Sequence, residues 1–303
     1  MHRNTIILIA ILSFSIAIRL VTVYLPHIEN DEVIYQTLAE KITKNIWDYS
    51  LRGTQILNQL PKAQYDYPIF RHPPLFIWFI ALASMIFGPH FQILIPIVFG
   101  ALIIWVTYLI AKKLYSDKEG LIAGVILCFC PILYFVSGKI WIETLFTFLT
   151  ALSFYLLIIA ADKRKMIWFA VSGLVFGLSL LAKYTSLGVL PAFIYYIARK
   201  KFPIKTLFPF SMSFLMAASF IILPWIFYYH KNMGINIYVN QFRTTPELLN
   251  MFPFCKMSME RPFYFYFTMP FLTAPIYLFS LISSYIFIKD KKDLTLPIWA
   301  VSF

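Results

Sequence analysis

Apolar residues run along this chain in stretches long enough to cross a bilayer, separated by short polar or basic segments. A helix needs about 20 apolar residues to span roughly 30 Å of hydrocarbon. Residues 5–25, 92–111, 120–136, 140–161, 206–229 and 262–288 meet that requirement. Residues 166–198 are apolar except for Lys183, and both flanks are basic. A single helix there would put its basic ends on opposite sides of the membrane, so the pattern predicts two short helices meeting at Lys183-Tyr184-Thr185. Residues 74–87 are too short to cross and must begin and end on the same side if the flanking spans are right. They form a re-entrant or interfacial helix that needs protein or water cover, or else a neighbouring span is misplaced.

Composition agrees with a membrane protein. The chain is 60% hydrophobic and 13% charged, with a mean hydropathy of +0.74, whereas soluble domains run near half apolar and a quarter charged. The net charge of +12 suggests nucleic acid until its distribution is considered. Lys112-Lys113 with Lys118, Lys163-Arg164-Lys165, Arg199-Lys200-Lys201 with Lys205, and Lys289 with Lys291-Lys292 all lie between apolar runs. Short basic loops between spans mark the cytoplasmic side. The charge reports topology, and no nucleic-acid partner is expected. With these clusters inside, segments 26–73, 137–141, the bend at Lys183, and 230–261 lie outside. The first helix carries Arg3 upstream but lacks a cleavage site before Pro26, so it reads as an uncleaved anchor. Cys128 and Cys130 are small hydrophobes within an apolar run, and three cysteines give no disulfide framework. The expected fold is an all-α polytopic membrane protein, one domain over 1–303 with about 8–10 membrane segments and a large first outer loop. Residues 294–303 read as the start of another span, so the sequence looks like the N-terminal part of a longer protein.

Several ionisable residues stand out because charge at membrane depth is costly, by roughly 2.5–3.5 kcal/mol on insertion scales. The first outer loop opens with Glu29-Asn30-Asp31-Glu32 and Tyr35, and closes with Arg71-His72-Pro73-Pro74-Leu75. Asp31 and Glu32 suit a helix start and equally a general base or metal ligand at the membrane surface. Arg71 and His72 precede a helix and suit phosphate, or simple snorkelling to the interface. Lys139 and Glu143 are spaced to pair at i, i+4. Arg19 lies inside the first span and Lys183 within apolar sequence. The last outer loop adds Tyr238, Gln241, Arg243 and Glu247, then Arg261-Pro262 and the aromatic run to Tyr266. On this topology all of them face one compartment.

The order of these features resembles the GT-C superfamily of lipid-linked-sugar glycosyltransferases, in particular its protein O-mannosyltransferase / aminoarabinose-transferase-like branch. Arg19, Asp31-Glu32 with Tyr35, His72-Pro73-Pro74-Leu75, Glu143 after Ser137-Gly138-Lys139, Gly177–Lys183 with Pro191, Leu223-Pro224-Trp225, and Pro262–Tyr266 follow the family's sequence of motifs. Where the aminoarabinose transferases carry Glu-Lys-Pro-Pro, this chain has Arg71-His72-Pro73-Pro74, and Ile34 replaces an arginine.

The resemblance implies a sugar donor on polyprenyl or dolichyl phosphate and an acceptor hydroxyl on a protein, lipid or glycan. It points to a multi-pass protein, most simply in a prokaryotic plasma membrane, with an extracytoplasmic site. Asp31 is then the base, with Glu32 supporting or orienting it, and attack opposite the phosphate inverts the anomeric centre. His72, Arg71, Lys183, Arg243 and Tyr266, in that order, are candidates to stabilise the leaving phosphate. Tyr35 and Glu143 complete the substrate site, Glu143 positioning the acceptor or helping the base. A divalent cation, Mg²⁺ or Mn²⁺, is optional, because no fixed oxygen-ligand set is visible. The rival readings are a secondary transporter, which predicts an internal repeat that is not found, and an inactive or truncated member of the transferase family.

Overall fold

The structure is a computed structural model that describes residues 3–25, 30–60 and 65–234. Arg243, Tyr266, the 262–288 span and most of the 230–261 loop lie outside the described residues. Ten α-helices and four short 3₁₀ turns make up the regular structure of the described residues, and no strand occurs among them. The helices are α1 Arg3–Leu20, α2 Asn30–Lys44, α3 Leu75–Phe87, α4 Leu94–Leu114, α5 Asp117–Cys128, α6 Pro131–Ser137, α7 Glu143–Lys163, α8 Met166–Ala182, α9 Leu190–Arg199 and α10 Ile204–Met233.

Among the described residues four helical stretches are long and apolar enough to cross a membrane: Arg3–Tyr24, Pro89–Leu114, Glu143–Lys163 and Ile204–Met233. A further apolar pair of helices is bent. Cys130 takes an extended conformation, Pro131 starts a new helix in the first turn, and α5 and α6 meet at 61°. Proline is compatible with that first-turn position because the N–H it lacks would have had no helical partner. The expected pair of short helices around Lys183 is present. Lys183 is extended (φ −152°, ψ 127°), which ends α8, and a 3₁₀ turn over Tyr184–Val189 leads into α9.

The short segment 74–87 is α3, which begins after Pro74 and stops at Gly88 (φ 96°). Glycine meets little steric objection at that φ. The helix buries Phe76, Ile77, Ile80 and Ala81 and leaves Met85, Ile86 and Phe87 exposed. It packs mainly against α2 of the first loop, whose buried positions Ile34, Tyr35, Leu38, Ala39 and Ile42 recur at helical spacing. Cover therefore comes from the chain's own loop.

Ion pairs bring the Lys112-Lys113, Lys163–Lys165 and Arg199–Lys201 clusters to one end of the bundle; the Lys289–Lys292 cluster lies outside the described residues. Lys113 at the end of α4 and Lys200 just past α9 both bond Asp162 near the end of α7, each at 2.9 Å. Glu143 opens α7 at the opposite end, roughly 30 Å away at 1.5 Å per residue.

Two kinds of contact hold the central helices. Ser153 of α7 and Ser172 of α8 each donate to the other's backbone carbonyl, at 2.9 and 2.8 Å. Gly173 and Gly177 bring α8 against α10: a Cβ on them would lie 2.1 Å from the Phe214 oxygen and 2.6 Å from the Ala218 oxygen. Small residues four apart permit this backbone approach between membrane helices. Gly173→Ala is expected to destabilise the protein by about 1–3 kcal/mol through overpacking. Gly124→Ala serves as control, since its Cβ would meet Ile104 at an ordinary 3.7 Å. Unfolding of the two variants in detergent checks the difference.

Candidate functional site

The site is built at the end of the bundle away from the basic clusters. The first turn of α2 carries two carboxylates with opposite surroundings. Asp31 is exposed, and Glu32 is fully buried at 0% exposure. Consecutive residues on a helix point about 100° apart, so one faces outward and the other faces the protein. Glu32 Oε1 accepts the backbone N–H of Ile140 at 2.9 Å, and Oε2 lies 3.8 Å from Lys139 Nζ. The turn between α6 and α7 thus docks onto α2. Arg19, also buried at 0%, holds the beginning of that turn by donating from Nε to Ser137 Oγ at 2.7 Å. Its Nη1 reaches the Ser15 carbonyl and hydroxyl at 2.9 and 2.6 Å.

Glu143 follows directly and bonds Lys183 at 2.7 Å, across forty residues of sequence. The spacing suggested that Lys139 and Glu143 serve each other. The structure gives Lys139 to Glu32 and Glu143 to Lys183. Lys183 also lies 5.3 Å from the Phe146 ring.

From Lys183 the contacts continue through aromatic residues. The Tyr184 hydroxyl accepts from Trp225 Nε1 at 2.6 Å. Trp225 meets Tyr49 edge-on at 5.5 Å, and the Tyr49 hydroxyl donates to the carbonyls of His72 and Pro73 at 3.1 and 3.2 Å. The His72 ring sits between Phe70 and Tyr35, at 5.3 and 6.5 Å. Tyr35 lies one helical turn from Asp31, so the chain of contacts closes on itself. Leu223-Pro224-Trp225 and His72-Pro73-Pro74 therefore meet through Tyr49, which had no distinguishing signal in the sequence. Tyr184 had one, its position next to Lys183.

The charged groups of this ring differ in their surroundings. Asp31 has an exposed side chain; burial first, and then its negative charge, hold the Tyr35 and Tyr65 hydroxyls protonated. Arg71 stacks 5.5 Å from the Tyr65 ring, and its buried Nε has no hydrogen-bond partner among the described residues. Arg19 Nη2, Gln92 Oε1, Trp141 Nε1 and Thr144 Oγ1 are likewise buried and unpartnered there. All five atoms lie at this end of the bundle, where a ligand or water would complete their bonding.

Among the described residues no group of three or more His, Cys, Asp and Glu side chains comes together as a metal site. Glu32 and Glu143 are committed to protein partners, so these residues do not form a ready oxygen-ligand set for Mg²⁺ or Mn²⁺. His72 is not a cation. Burial first, then the charges of Arg71 and Lys183, push its pKa down to about 3, so the imidazole is neutral near pH 7 and donates at most one ring N–H. In the unfolded chain it titrates near 6.5. The unfolded state then binds the extra proton between those values, and stability falls as pH drops from about 6.5 toward 3. His72→Gln is expected to reduce the loss of thermal stability between pH 7 and pH 5, measured by unfolding in detergent.

Residues 71–228, just over half of the chain, match the family described as dolichyl-phosphate-mannose-protein mannosyltransferase. The match takes in Arg71, His72, Glu143, Lys183 and Trp225 and begins after the α2 carboxylates. The undecaprenyl phosphate-alpha-4-amino-4-deoxy-L-arabinose arabinosyl transferase of Pseudomonas savastanoi pv. phaseolicola is 27% identical over 173 residues, covering 54% of this chain and 32% of that protein. The aligned segment thus spans about a third of the length of that relative. With its helical membrane architecture and the matched residues gathered at one end, the chain belongs to the dolichyl-phosphate-mannose-protein mannosyltransferase family, within the GT-C superfamily.

Proposed function

We propose that this protein transfers a sugar from a polyprenyl- or dolichyl-phosphate donor to an acceptor hydroxyl at the extracytoplasmic face of a membrane, with inversion at the anomeric carbon. One observation carries the reading: residues scattered from Asp31 to Trp225 converge in a closed ring that leaves an exposed carboxylate and an unsatisfied guanidinium. Family membership and the donor named in the relative support a lipid-phosphate sugar.

Asp31 takes the acceptor's proton as the hydroxyl oxygen attacks the anomeric carbon. The bond from that carbon to the phosphate oxygen breaks on the opposite face, and its electron pair leaves with the lipid phosphate. The phosphate is already a stable anion, so the site needs hydrogen-bond donors more than a strong acid. Among the candidates in the described residues, Arg71 suits this role best, because its Nε is a donor without a partner. Neutral His72 contributes a hydrogen bond, and Lys183 shares its charge with Glu143. Tyr35 belongs to the substrate site beside them, packed edge-on against the His72 ring. Arg243 and Tyr266 join the proposal from sequence alone. The acceptor is a protein, lipid or glycan, the membrane a prokaryotic plasma membrane, and no step requires a metal.

Asp31→Asn is expected to lower transfer by about 10²- to 10⁴-fold, the usual worth of a positioned base. Membranes containing either protein and a polyprenyl-phosphate sugar give the comparison, and equal transfer by both would remove Asp31 from the role. Arg71→Gln is expected to slow transfer with the native donor, while excess EDTA leaves the wild-type rate unchanged.

A further inference from the structure

We infer that Glu32 is a positioning residue: it sets Glu143 and Lys183 against Asp31 through the turn from Ser137 to Ile142, and it takes no part in proton transfer itself. The inference rests on the transfer reading above for its kinetic consequence, and on geometry for the rest.

Glu32 is closed to any acceptor because it has no exposed surface. Both of its oxygens are directed at the turn, one to the Ile140 amide at 2.9 Å and one toward Lys139 at 3.8 Å. The turn has little freedom elsewhere. Its first residue is held by Arg19, and a Cβ on Gly138 would approach Thr22 Cγ2 to 2.8 Å. Ile140 and Ile142 are buried at 1% and 2% exposure, and Lys139 lies 5.8 Å from the Phe135 ring. Glu143 begins α7 at the residue after Ile142, so any displacement at Ile140 is carried to the Glu143–Lys183 pair within one turn of chain. Adjacent carboxylates on α2 thus divide the work: Asp31 is exposed, and Glu32 fixes the turn that leads into Glu143.

A buried carboxylate with a specific amide partner has an isosteric stand-in. Glutamine keeps the acceptor oxygen for Ile140 and removes the charge, whereas alanine removes both. Hydrogen exchange of the amides in 137–143 reports the turn without reference to catalysis, and sugar transfer reports its consequence. Glu32→Gln is expected to keep exchange in 137–143 near that of wild type and transfer within about tenfold of it. Glu32→Ala is expected to accelerate exchange locally and to lower the turnover rate by about 10²-fold, the scale of an ångström's misplacement. Loss of transfer by Glu32→Gln as complete as that of Asp31→Asn would overturn the inference, since charge or proton would then be what matters. Unchanged exchange at 137–143 in Glu32→Ala, or exchange raised evenly over the whole chain, would overturn it as well. If wild-type protein transfers no sugar, the functional reading fails, while the exchange of the two variants still upholds or overturns the positioning role.

Discussion

The hydrogen bond from the Ile140 amide to the buried Glu32 carboxylate joins parts of the chain that are 108 residues apart. A carboxylate taken out of water is costly unless its oxygens find strong partners. Here an amide and a lysine supply them, and both come from one turn. That requirement draws the first loop onto the α6–α7 connection, and the rest of the site follows from it. Glu143 is placed at the head of α7, Lys183 answers it from the bend after α8, and Tyr184 passes the constraint to Trp225. Tyr49 and His72 return it to α2. Removing any member leaves a buried polar group or an aromatic ring without its neighbour.

The same end of the bundle shows two ways of keeping charge in an apolar setting. Lys183 and Glu143 neutralise each other. Arg19 is held by hydroxyls and a carbonyl, from Ser137 and Ser15, beside the Tyr134 ring. Dipoles can hold a guanidinium without cancelling its positive charge. Arg71 lies against the Tyr65 ring with its buried Nε unpartnered among the described residues. An anionic ligand would find this end of the protein donor-rich, although its formal charges nearly balance.

Much of the architecture was legible in the sequence because membrane crossing is a length requirement. The spans fell where apolar runs permitted, and the basic flanks of 166–198 dictated a bend at Lys183. The 120–136 span proved broken, at a place where Pro131 gave the signal. Residues 74–87 resisted a topology argument because their cover comes from α2, a contact no local pattern reveals. The motif residues Asp31, Glu32, His72, Glu143 and Lys183 were visible as misplaced polarity, and the structure brings them into one ring. Their partners were harder. The Ile140 amide has no side-chain signature, and Tyr49 is one of 19 tyrosines. The i, i+4 spacing of Lys139 and Glu143 was sound helical reasoning applied where the helix had not yet begun, since α7 starts at Glu143.

Gly173 and Gly177 matter beyond the fit of two helices. At these two positions α8 meets the backbone of α10 directly, and Lys183 and Trp225 each stand about two turns beyond them toward the site. Side chains compress and change rotamer, but two backbones in contact act as a hard stop. The separation of Lys183 from Trp225 is therefore gauged by main chain, much as a jig fixes two drilled holes. Loops at that end can diverge without disturbing that spacing. The face of α10 that presents Phe208, Phe220 and Phe227 to lipid can change almost any apolar residue, provided the two glycines stay.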